Sequence, residues 1–94
     1  MPRLRYSDAS KDDLKRIARY IAQDKPTAVR QWVAKLREKC RLVSRHPEMG
    51  DERPELGEGI RSTYVGRYVI YFRRTDTALE IVRVIPGDRD TRAL

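Results

Sequence analysis

Cysteine, histidine, tryptophan and phenylalanine each occur once in these 94 residues. The lone Cys40 excludes an intramolecular disulfide and any all-cysteine metal site. His46 stands six residues further on, so a zinc site would have to borrow carboxylates, and no metal or cofactor is expected. No apolar run exceeds the five residues Tyr68–Phe72, whereas a membrane-spanning helix needs about 20. The start, Met1-Pro2-Arg3-Leu4-Arg5, lacks the apolar stretch of a secretory signal. Gly-rich phosphate loops are missing too, since Gly57-Glu58-Gly59 lacks the next glycine and the strand-to-helix setting. There is no internal repeat and no low-complexity segment. These absences describe a small, reduced, cytoplasmic protein, one domain over residues 1–94.

Charge is abundant and uneven. Lysine and arginine number 21 against 14 acids, a net charge of +7, and 16 of the 21 are arginine. Arginine suits planar, two-pronged contacts with phosphate or carboxylate. The acids concentrate between Pro47 and Gly59, where Glu48, Asp51, Glu52, Glu55 and Glu58 face only Arg53. Elsewhere 20 bases stand against nine acids. Such a field favours a polyanion or an acidic protein partner; a basic surface also simply keeps a small protein soluble.

Residues 3–6 alternate polar and apolar and suit a short strand with Leu4 and Tyr6 on one face. Ser7-Asp8-Ala9-Ser10 offers several N-cap candidates, with Asp13 three residues beyond Ser10. Leu14, Ile17, Ala18 and Ile21 then form a helical stripe ending near Asp24. Lys25 precedes Pro26, which disfavours helix there and suits the first position of a second helix. Its stripe is Val29, Trp32, Val33, Leu36, Cys40 and Val43, closed by Pro47. Cys40 on that stripe reads as a small core residue, and His46 as a C-terminal capping side chain.

The acidic segment 47–59 carries Pro47, Gly50, Pro54, Gly57 and Gly59 and reads as a loop with turns. From Ile60 the period becomes two. Residues 60–65 and 68–73 form strands about a Gly66-Arg67 hairpin turn, and residues 78–85 a third. Pro86-Gly87 ends it, leaving the polar tail 88–94. The expected fold is α+β in the order β-α-α-β-β-β, a helical hairpin packed on one face of a small antiparallel sheet of four strands. The other face, with Tyr71, is left for solvent or a partner.

Nucleophilic hydrolysis needs a nucleophile, a base and an orienter, and a histidine at a helix end with a cysteine on a core stripe do not supply them. The carboxylate pairs Asp12-Asp13 and Asp51-Glu52 read as capping and solvation. What remains is an arginine set on the sheet and tail: Arg61, Arg67, Arg73, Arg83, Arg89 and Arg92. A charge on a half-buried strand needs a partner or a purpose. For Arg83 the choice is an ion pair with Asp88 or Glu80, or an anion-binding surface.

Several ordered stretches resemble the ParE toxins of the RelE/ParE superfamily. They are Leu4-x-Tyr-Ser, Asp13-Leu14-x-x-Ile17-x-x-Tyr20-Ile21, Pro26-x-Ala28, His46-Pro47-x-x-Gly50 and Arg53-Pro54-Glu55-Leu56. Further on come Gly59-Ile60-Arg61-Ser62, Gly66-Arg67-Tyr68-x-Ile70-x-Phe72-Arg73 and Ile81-x-Arg83-Val84-Ile85-x-Gly87-x-Arg89-Asp90. The resemblance implies the fold just derived and the toxin of a plasmid-stabilisation, type II toxin–antitoxin module. In it the toxin blocks DNA gyrase by binding, a ParD-like antitoxin neutralises it, and no catalytic residue is required. Arg61, Arg83, Arg89 and Arg92 are then the target-binding candidates, and Tyr71, Arg73 and Arg67 the antitoxin-binding ones.

The alternative in the same superfamily is a RelE-like ribosome-dependent mRNA endoribonuclease. RNA cleavage there needs lysines and arginines on the sheet and a Tyr or His near the C-terminus. This chain matches that branch at Arg61 and at Arg83 or Arg89, but carries Glu52, Glu55 and Glu58 where a phosphate site wants lysines, and its tail after Gly87 has no Tyr, His or Lys. One departure touches the ParE branch as well: a His often seen before the tail glycine is Pro86 here. Direct nucleic-acid binding without gyrase or ribosome is the less favoured third reading.

Overall fold

The structure, a computed structural model, describes residues 3–88. It contains β1 (Arg3–Tyr6), α1 (Asp8–Asp24), α2 (Pro26–Arg45), β2 (Asp51–Glu52), β3 (Ile60–Val65), β4 (Tyr68–Arg74) and β5 (Ala78–Pro86), with one 3₁₀ turn at Pro54–Leu56. The order matches the expectation from periodicity. Two features extend it. The short β2 arises inside the acidic segment, making five strands in the order β1-β5-β4-β3-β2. And β1 runs parallel to β5, while the other pairs are antiparallel.

The helices begin and end where local chemistry asks. Ser7, not Ser10, caps α1: its Oγ accepts from the Ser10 amide at 3.0 Å, satisfying one of the orphan donors of the first turn. Lys25 closes α1 through its amide to the Ile21 carbonyl, and Pro26 opens α2 immediately. His46 ends α2 through its backbone amide, bonded to Leu42 and Val43 carbonyls, rather than through its ring.

The main core lies between the helical hairpin and one face of the sheet. Ile17, Leu36, Cys40 and Val43 meet Val65, Ile70, Phe72, Leu79, Ile81 and Val84. Alternation along β5 breaks at Val82: Tyr71 faces Arg83 while Phe72 faces Ile81, so Val82 is one residue too many. This β-bulge lets Ile81 and Val84 point to the same core, and turns Val82 and Ile85 to the opposite face.

That opposite face corrects the expectation for Tyr71. Tyr71 is 0% exposed, packed with Val69 and Ile85 against Leu56 of the acidic segment and Ile60 at the start of β3. The Arg53 guanidinium lies 5.5 Å from its ring centroid. Alternation places Tyr71 on the helix-free face correctly, but cannot reveal that a loop folds back over it. A side chain sealed in this way offers no surface to a partner.

Candidate functional site

The end of the molecule where β1 stops short of β5 gathers most of the chemistry. The β1–β5 ladder ends at Tyr6–Ile81, so residues 82–86 of β5 have no strand on that side among the described residues. The start of α1 supplies the missing partners. Ser7 donates its amide to the Ile81 carbonyl at 3.0 Å and its Oγ to the Val82 carbonyl at 2.7 Å. Asp13 accepts the Val84 amide at 3.0 Å.

Asp13 also receives Arg83 two-pronged, with Nε to Oδ2 at 2.7 Å and Nη2 to Oδ1 at 3.0 Å. Arg16, one helical turn on, adds a 3.3 Å contact to Oδ1. The Asp13 side chain is only 2% exposed, that of Arg83 28%. Four donors thus converge on one buried carboxylate, and charge-assisted bonds of this kind are among the stronger ones. The bond from Asp13 in turn raises the Arg83 pKa above its usual value, so its guanidinium stays charged and cannot serve as a general acid. Arg83 therefore has an internal partner, but neither Asp88 nor Glu80. Glu80 belongs to Arg73, at 3.0 Å.

The other predicted arginines divide. Arg61 donates to the Glu48 carbonyl at 2.9 Å, the Gly50 carbonyl at 3.3 Å and the Glu52 carboxylate at 3.2 Å. It pins the acidic segment to β3 and lies apart from the Arg83 network. Gly50 needs its φ of +87° there, and a Cβ would meet the Ser62 carbonyl oxygen at 2.5 Å. Arg73 is on the sheet with Glu80. Arg67, in the exposed hairpin turn, does come to the Arg83 end, where its carbonyl accepts the Gly87 amide at 2.8 Å. Arg89 and Arg92 lie outside the described residues.

Between α1 and the end of β5 runs a groove of about 650 Å³, with Ile17, Tyr68 and Ile85 inside and Arg16, Arg67 and Arg83 around them. Tyr20 at its rim is 64% exposed. A second groove of about 680 Å³ continues past Tyr68 to Trp32, whose ring meets Tyr68 edge-on at 5.3 Å. Trp32 Nε1 is buried with no hydrogen-bond partner among the described residues. Sequence reasoning takes Asp13 for a capping acid and singles out Tyr20 only within the family-like stretch, so neither is among the predicted site residues. A signal existed for Asp13: it sits four residues before Ile17, an acid on the apolar stripe.

The remaining reactive groups are quiet. Burial pushes the Cys40 thiol up, opposed by a bond from Tyr6; burial likewise raises Tyr6 and Tyr68. A protonated, buried thiol is no nucleophile. Among the described residues no three His, Cys, Asp or Glu side chains are grouped to hold a metal ion, and no helix is long and apolar enough to cross a membrane.

The fold, a helical hairpin on a mixed sheet, is shared by chains from toxin–antitoxin systems. A chain of a chromosomal ParDE TA system from P. aeruginosa matches with a TM-score of 0.77 at 19% identity, covering 92% of this chain and 96% of that one. A chain of the E. coli DinJ–YafQ complex gives 0.62 at 16% identity, covering 97% and 99%. YafQ from E. coli strain BL21(DE3) gives 0.61 at 15% identity, covering 94% and 96%. No curated protein matches. Residues 4–91 match the ParE toxin of the type II toxin–antitoxin system, parDE. The chain belongs to that family.

Proposed function

We propose that this type II toxin acts by binding DNA gyrase, not by breaking a bond. The observation that carries this reading is the state of the ionisable groups around the α1–β5 groove. Asp13 holds the Arg83 guanidinium two-pronged and raises its pKa further, and burial pushes the Tyr68 phenol up. Groups so held suit recognition of an anionic or polar surface better than proton transfer to a scissile phosphate. Arg67 and Arg83, with Arg89 and Arg92 of the polar tail, are the proposed target contacts.

The antitoxin is proposed to be ParD-like, acidic and unfolded until bound. Tyr20, Tyr68 and Trp32 along the two grooves, with Arg67 between them, have the composition of interface anchors. An apolar segment flanked by acids would bury against them. Its affinity should fall with salt only in part, because the apolar anchors are unscreened.

The decisive experiment runs gyrase supercoiling beside translation-coupled mRNA cleavage on one preparation. Supercoiling blocked with mRNA intact is the expected result. Ribosome-dependent cleavage with normal supercoiling would overturn the proposal and establish the RelE-like alternative. In cells, Arg89→Ala with Arg92→Ala should relieve growth arrest while antitoxin capture persists.

A further inference from the structure

The helix α2 carries six basic residues and one acid, Glu38. Arg30, Arg37 and Arg41 fall at i, i+7 and i+11, which places them in one row on the helix surface, about 16 Å long. All three are exposed. They flank a shallow depression of about 620 Å³ with Val29, Val33 and Ala34 as its floor. Among the described residues none of the three side chains makes an ion pair or a hydrogen bond. Arg16, Arg53, Arg61, Arg73 and Arg83, by contrast, each hold a carboxylate.

The row costs the helix something. Like charges four apart, as in Arg37 and Arg41, destabilise a helix by a few tenths of a kcal/mol, and the helix's one acid, Glu38, stands at i,i+3 to Arg41 alone of the three and makes no ion pair with it among the described residues. Arg37 and Arg41 also act on the phenol of Tyr6 in β1, so the row lies over that edge of the sheet, away from the Arg83 groove. The depression holds no aromatic residue and no deep pocket, and protein interfaces depend on buried anchors. A rigid line of unpaired guanidinium groups without an anchor pocket is instead complementary to a line of phosphates.

We propose that the Arg30–Arg37–Arg41 flank of α2 binds the phosphate backbone of double-stranded DNA without reading its sequence. This goes beyond the gyrase reading and stands without it. DNA held by a target enzyme would give the toxin a second point of attachment.

The test uses the full chain and a fluorescein-labelled duplex of about 30 base pairs, with affinity followed by anisotropy between about 50 and 200 mM salt. Three phosphate contacts predict that the triple variant R30A/R37A/R41A lowers the log–log salt slope by about 2.7. The charge-matched control K11A/K15A/R19A, on the exposed face of α1, should keep the wild-type slope. A second triple, R30Q/R37Q/R41Q, should behave as the alanine triple, and far-ultraviolet circular dichroism confirms that each is folded. Four results with the DNA duplex would overturn the proposal. They are no duplex binding by the wild type at the lowest salt, an unchanged slope in both row variants, an equal loss in the α1 control, and capture of polyglutamate but not duplex through the same arginines. An RNA duplex of equal length is measured alongside; tenfold tighter binding to it would overturn the assignment to DNA. Loss of duplex binding with gyrase inhibition retained would support the row and leave the proposed function intact.

Discussion

Arg83 on the sheet and Arg37 on α2 carry the same group into opposite circumstances. Arg83 meets a carboxylate that is 2% exposed and shares it with a backbone amide, while Arg37 projects into solvent with no carboxylate in reach. The contrast extends to their neighbours. Arg61 holds down the acidic segment through two carbonyls and Glu52, and Arg53 lies over Tyr71. Arg30 and Arg41 do nothing comparable. Arginines held by the fold's own carboxylates and arginines that hold none are therefore separable in this chain, although sequence alone groups them by strand and helix.

The largest expected effect comes from removing the shared carboxylate. Asp13→Ala strands the Arg83 guanidinium and the Val84 amide, and should cost about 3 kcal/mol in urea unfolding; Asp13→Asn, still able to accept from Val84, should cost less. Gly50→Ala forces a left-handed backbone and a carbonyl clash, for about 2 kcal/mol, and should loosen the acidic segment in hydrogen exchange. Arg61→Ala removes the tether from the same segment at about 1 kcal/mol. A pH titration gives the mildest effect. Burial lifts the Tyr6 and Cys40 pKa values above 10.0 and 9.0, so the fold binds those protons more tightly than the unfolded chain. Stability is then level below about pH 9 and falls above it, and Tyr6→Phe should make the fall shallower. Arg37 and Arg41 oppose the Tyr6 shift without cancelling it, as exposed charges facing a buried group should.

Much of the fold was legible. The helical stripes, Pro26 between the helices and the Gly66-Arg67 turn mark four elements because each depends on neighbours along the chain. Pairing across long distances leaves no such trace. The parallel contact of β1 with β5 joins residues 75 positions apart, as Arg3 with Ala78. Asp13 and Arg83 are 70 apart, which is why nearby Glu80 and Asp88 looked like the natural partners. The bulge at Val82 hides in an apolar run where either face would accept the side chain. Tyr71 reads as half of an open face until the loop above it is seen. Within the candidate site, Arg67 and Arg83 were legible as charges on turn and strand, and Trp32 as part of the stripe that packs on the core, whereas Asp13 read as a capping acid.

Urea unfolding of Arg83→Ala beside Arg37→Ala tests this division most directly. The account predicts a loss of at least about 1 kcal/mol for Arg83→Ala and a change within about 0.5 kcal/mol for Arg37→Ala, with equal denaturant slopes. Indistinguishable midpoints for the two variants would contradict it.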